Sequence, residues 1–122
     1  MVDDLSISGE VVLYRRIQSR YLQFDADGNP VVSDGAFRTK ELSLFRSDRV
    51  TADEVLDGYP NDGLAEISAQ AVRDAGIILS ASEPPAGHVV GYRRDSPGDR
   101  IPANSSARMI RAAKLVRLPK TA

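Results

Sequence analysis

Residues 77–93 read IILSASEPPAGHVVGYR, in which two apolar runs flank a proline-rich link. The runs 77–82 and 88–93 are rich in β-branched and aromatic residues, so each one predicts a strand. Five residues, 83–87, separate them, and a rigid link of that length predicts a β-hairpin. Residues 77–93 therefore predict an antiparallel strand pair.

Two earlier segments have the same strand character. Residues 10–17, EVVLYRRI, form a short run rich in β-branched and aromatic residues, and residues 21–25 could continue it. Residues 25–30, DADGNP, predict a turn, because Gly28 tolerates positive φ and Pro30 cannot donate to a ladder. Residues 41–46 alternate, which predicts a strand that is buried on at least one face.

Three helices are predicted from capping residues and apolar spacing. Thr51 and Glu54 form a capping box that begins a short helix ending near Leu56. A longer helix is expected over residues 62–75, and a last helix from Ser105 or Ser106 to about Leu118. Strands, helices, a hairpin and a helix in this order predict an α+β fold with a mainly antiparallel sheet, two main helices and one short helix.

The length of 122 residues and the composition fit one soluble domain, with residues 1–9 and 120–122 frayed at its ends. The sequence has no cysteine and one histidine, which excludes disulfide scaffolds, zinc–cysteine sites and multi-histidine metal sites. It also lacks a long apolar run and a phosphate-binding glycine loop. We therefore expect no metal, no cofactor and no membrane association. The lack of a signal pattern favours a cytoplasmic location, and the excess of arginine over lysine suggests a bacterial source.

Four residues are the catalytic candidates. Arg15 lies on the same predicted strand face as Leu13, so its guanidinium needs either a carboxylate partner or a bound anion. His88 begins a strand after the proline link, where it is either a general base or a strand residue bonded to a turn carbonyl. Ser43 and Glu83 are the other two candidates, and they are suggested by a resemblance to a known fold.

Four short motifs resemble small bacterial proteins of unassigned function. They are LYRRI at 13–17, AFRTKELS at 36–43, GLAEISA at 63–69 and GHVVG at 87–91, and the likeness covers about residues 11–118. The Leu-Tyr-Arg start of the first strand is also similar to the opening of the ADP-ribosyltransferase fold. That resemblance implies an NAD-using enzyme, with Arg15, Ser43 and Glu83 as the arginine, serine and glutamate that hold NAD.

The C-terminal quarter is basic. Residues 93–122 contain eight basic and two acidic residues, although the net charge of the chain is −1. Arg108, Arg111 and Lys114 are expected on one face of the last helix, where they would either contact an anionic partner or only face solvent. The leading hypothesis is a non-enzymatic accessory domain that binds another protein. The alternatives are the NAD-using enzyme or its remnant, and a nucleic-acid accessory protein that binds through this basic helix.

Overall fold

The computed structural model describes residues 2–120. Within this range the strands are β1 (Val12–Gln18), β2 (Leu22–Phe24), β3 (Pro30–Val32), β4 (Leu42–Arg46), β5 (Asp62–Ser68), β6 (Ile77–Ala81), β7 (His88–Arg93) and β8 (Lys114–Arg117). The α-helices are α1 (Ala52–Leu56), α2 (Ala69–Asp74) and α3 (Ala103–Ala112), and two 3₁₀ turns cover Ser19–Tyr21 and Asp34–Phe37. The predicted α+β class is confirmed.

Among the described residues, six strands form one antiparallel sheet in the order β6-β7-β4-β1-β5-β8, and β2 and β3 form a separate pair. The predicted hairpin is confirmed, since Ile77 pairs with Arg93 and Ala81 with Val89. The capping box is also confirmed: the Thr51 hydroxyl accepts from the Glu54 N–H, and the Glu54 carboxylate accepts from the Thr51 N–H.

The prediction of one helix over residues 62–75 is wrong. Residues 62–68 form β5, which lies between β1 and β8, and only Ala69–Asp74 are helical. Leu64, Ala65 and Ile67 are all buried because both faces of this strand are covered. Apolar residues on both faces of a strand can also match a helical period, so spacing alone misled the prediction. Ser68 is the actual cap, and its hydroxyl accepts from the Ala71 N–H.

The last predicted helix is too long at its C-terminal end. α3 ends at Ala112, Ala113 is extended, and β8 then pairs with β5 at the edge of the sheet. The N-terminal segment also differs from the expected frayed end: Ile7 is fully buried, and Asp3 accepts from the Leu79 N–H and from Arg73. Residues 121–122, expected to fray, lie outside the described residues.

The sheet separates two apolar clusters. One face packs against α2, α3 and the 34–37 turn through a core that includes Leu13, Phe37, Leu44, Ile67 and Met109. The other face packs against α1 through a smaller cluster of Phe45, Val55 and Leu64. Side chains that alternate along one strand therefore enter different clusters.

β1 diverges from β4 along its second half. All seven residues of β1 pair with β5, whereas only Leu13 and Tyr14 pair with β4, opposite Arg46 and Phe45. The end of β1 and the start of β4 are therefore separated, in the middle of the sheet order. The candidate site lies beside this separation.

Candidate functional site

A cavity of about 200 Å³ lies at the end of β1, beside the segment that leads into β4. Three arginines line it: Arg15 and Arg16 from β1, and Arg20 from the 3₁₀ turn that follows. Asp62 is the one carboxylate of its lining within the described residues. We call this space the arginine cavity. Its charge favours an anionic group.

The guanidinium of Arg15 is bonded to carbonyl oxygens. Its Nε and Nη2 donate to the Ala36 carbonyl oxygen at 3.2 and 2.9 Å, and its Nη1 donates to the Ser43 carbonyl oxygen at 3.1 Å. Burial lowers the pKa of Arg15 to about 10; the nearby Arg16 cation adds to this effect, and Tyr21 and Asp62 oppose it. The side chain thus keeps a partly buried charge that its neighbours do not neutralise.

The sequence left two partners open for Arg15, a carboxylate or an anion. Among the residues that the structure describes, no carboxylate lies within ion-pair distance of Arg15, Arg16 or Arg20. The salt-bridge alternative is therefore wrong for the described part of the chain. Main-chain carbonyls orient the guanidinium but bring no negative charge, so an anion remains the partner that would offset it.

Arg16 and Arg20 are oriented by aromatic rings. The Arg16 Cζ lies 3.8 Å from the Tyr59 ring centroid and 5.1 Å from that of Phe45, and its Nη1 donates to the Val55 carbonyl oxygen at 3.0 Å. The Arg20 Cζ lies 4.7 Å from the Tyr21 ring centroid. Cation–π contacts fix a guanidinium in place without cancelling its charge. Both arginines therefore remain able to attract an anion.

Ser43 and His88 are in contact, but not at the arginine cavity. The Ser43 Oγ lies 2.7 Å from the His88 Nε2, and the His88 Nδ1 lies 3.1 Å from the Ser82 carbonyl oxygen. Because a carbonyl only accepts, Nδ1 donates to it; in the neutral imidazole Nε2 then accepts from the Ser43 hydroxyl. His88 thus donates to a hairpin carbonyl oxygen, which is the second of the two roles predicted for it. The pair lies in regular strands, not on the strained turn that exposes a nucleophilic serine.

The residues implied by the ADP-ribosyltransferase resemblance do not meet in one cavity. Ser43 gives Arg15 its carbonyl oxygen, but its hydroxyl points to the other face of the sheet because Leu42 and Leu44 occupy the face of Arg15. Glu83 is exposed and accepts from Arg49 Nη1 at 3.1 Å. Of the four catalytic candidates, Arg15 alone lies in the lining that the structure describes for the arginine cavity.

The basic residues near the C-terminus do not share one helix face. Arg108 and Arg111 are exposed on α3, whereas Lys114 is exposed on β8. Arg108 also donates from Nη1 to the Asp74 carbonyl oxygen at 3.2 Å. The expected continuous basic helix is therefore wrong, because the chain leaves the helix before Lys114.

Three residues of the site were not predicted from the sequence: Arg16, Arg20 and Tyr59. The spacing of Arg15, Arg16 and Arg20 shows a local excess of cations, but nothing local shows that Tyr59 stacks on Arg16. Within residues 2–120 there is no group of three or more side chains that could hold a metal ion, and no helix is both long and apolar enough to cross a membrane. Comparison with family models, curated proteins and solved structures finds no match for this chain.

Proposed function

We propose that this chain is a non-enzymatic binding domain that takes an anionic group of a small molecule into the arginine cavity. The observation that supports this proposal is Arg15: its guanidinium is partly buried and bonded only to carbonyl oxygens within the described residues. Arg16 and Arg20 add two cations held by aromatic rings. A bound anion would accept from these guanidiniums and offset the cost of burying Arg15.

Inorganic phosphate tests the proposal in thermal unfolding. A ligand that binds only the folded state at ten times its Kd stabilises that state by about 1.4 kcal/mol, which raises the Tm by several degrees. Phosphate also stabilises proteins without binding, by exclusion from their surface. The quantity to compare is therefore the Tm in phosphate minus the Tm in chloride of equal ionic strength, measured for each variant.

Arg20→Gln is the informative variant because Arg20 is exposed on a turn and its removal leaves the core intact. Arg111→Gln is the matched control, an exposed arginine on α3 away from the cavity lining. We expect the phosphate-specific shift to fall by at least half in Arg20→Gln and to stay unchanged in Arg111→Gln. Equal shifts in the wild type and both variants would refute the proposal.

The alternative functions remain predictions. An NAD-using enzyme requires that NAD raise the Tm and that Arg15→Ala abolish the effect. Binding of a protein or nucleic acid through Arg108, Arg111 and Lys114 is consistent with the exposure of all three side chains. Their distribution over α3 and β8 gives a less regular surface than the single helix face first expected.

A further inference from the structure

A second cavity, of about 360 Å³, adjoins the arginine cavity. The two share Arg16 and Tyr59, so the stacked pair forms the wall between them. Phe45, Val50 and Val55 give the second cavity apolar sides. We call it the apolar cavity. We consider which part of a ligand the apolar cavity would hold when the arginine cavity binds its anionic group. This inference therefore rests on the proposed function.

The wall between the cavities is aromatic and partly exposed to solvent. Tyr59 is 44% exposed and lies in the loop between α1 and β5, and Arg16 is partly exposed. A ligand can therefore reach from one cavity to the other over the solvent side of Tyr59. A flat ring suits this path, because aromatic faces and guanidinium planes stack on flat rings.

The two cavities differ in charge. Within the described residues, Arg16 is the one cation of the apolar cavity, and its lining includes the carboxylates of Glu54 and Asp57. Glu54 already accepts from the Thr51 N–H through Oε1, whereas Asp57 lies just beyond α1. Carboxylates repel a second anion and accept from N–H donors. A neutral group with N–H donors is therefore the ligand portion that suits this cavity.

We infer that the ligand is a phosphate monoester that carries a flat, amino-bearing heteroaromatic ring. Its phosphate binds in the arginine cavity, and its ring lies beside Tyr59 in the apolar cavity with an N–H directed at Asp57. Nucleoside monophosphates are common small molecules that have both of these groups. Phenyl phosphate has the same phosphate and a flat ring but no N–H donor, so it separates ring stacking from recognition by Asp57.

Titration calorimetry of the full chain with inorganic phosphate, phenyl phosphate and the monophosphates of adenosine, guanosine and cytidine tests the inference. We expect phenyl phosphate to bind more tightly than phosphate, and at least one nucleotide to bind at least tenfold more tightly than phosphate. Because Tyr59 also holds Arg16 at the arginine cavity, Tyr59→Ala should weaken phosphate, but it should weaken both ring ligands by a larger factor. Asp57→Ala removes the acceptor and should weaken the nucleotides relative to phenyl phosphate, whose ring has no N–H donor.

Phe24→Ala is the matched control, since Phe24 is an exposed aromatic residue on the separate β2–β3 pair. It should change none of the affinities. If phosphate binds but no nucleotide binds more tightly, this inference is wrong and the proposed function stands. If Tyr59→Ala weakens phosphate and nucleotide equally, Tyr59 only positions Arg16 and the inference is again wrong. Absence of phosphate binding would refute both.

Discussion

Ile67 lies next to the C-terminal end of β5, opposite Leu13 of β1, and is 2% exposed. Replacing it with alanine removes three carbon atoms from the larger core. At about 0.8 kcal/mol for each buried methylene, the transfer loss is about 2.4 kcal/mol. The remaining cavity adds to this, so we expect Ile67→Ala to lower the free energy of unfolding by about 3–4 kcal/mol.

The same position tests the corrected assignment of residues 62–68 as a strand. On a helix, Leu64 and Ile67 would share a face and contact each other. On β5, Leu64 enters the cluster with Phe45 and Val55, whereas Ile67 enters the cluster on the other face. The effects of Leu64→Ala and the milder Ile67→Val should therefore add to within about 0.5 kcal/mol in the double variant.

Urea unfolding followed by far-UV circular dichroism measures each free energy, and unchanged m-values show that the variants unfold from the same native state. Val31→Ala is the control, because Val31 is 44% exposed on β3 and its truncation should cost less than about 0.5 kcal/mol. A loss below about 1 kcal/mol in Ile67→Ala would refute the burial argument. A coupling above about 1 kcal/mol between positions 64 and 67 would refute their placement on opposite faces.

Two further substitutions test the packing and the electrostatics. In Gly91→Ala the added Cβ would lie 2.9 Å from Ile77 Cγ2 and 3.3 Å from Leu42 Cβ, so we expect a loss of about 1–3 kcal/mol in urea unfolding, and unchanged stability would contradict the close approach. Arg46 lowers the pKa of Asp48 below 3.8 by hydrogen-bonding both carboxylate oxygens. The ionised carboxylate therefore stabilises the fold above that pH, and this contribution is lost as the pH falls through the lowered pKa. Asp48→Asn should lose less stability than the wild type between about pH 5 and pH 2, and an equal loss would contradict the linkage.

The parts of the fold that were predicted correctly depend on local signals. The 77–93 hairpin needs only two β-branched runs and a short link, and the Thr51–Glu54 capping box is complete within four residues. The errors arose where tertiary pairing decided the structure. β8 is a strand because its residues pair with β5, and β5 is a strand because β1 pairs along its whole length. Neither partner is visible in a window of the local sequence.

In the candidate site, too, only the features that depend on local sequence were predicted. Alternation along β1 correctly placed Arg15 on the face of Leu13, and chemistry then restricted its partners to a carboxylate or an anion. The carbonyl oxygens of Ala36 and Ser43 could not be foreseen, because they approach only where β1 and β4 diverge. Tyr59 meets Arg16 through a loop 43 positions later in the chain, which no local pattern indicates.

The position of Arg15 raises the question of why a cation stands there at all. The carbonyl oxygens of Ala36 and Ser43 need donors, and the guanidinium fork supplies three N–H groups to them in one plane. A neutral amide side chain could donate to one of these carbonyls without the cost of burying a charge. That cost is reflected in the pKa of Arg15, which burial holds at about 10. Bracing the gap between β1 and β4 explains a donor at this position, and the proposed anion in the adjoining cavity would explain why that donor is charged.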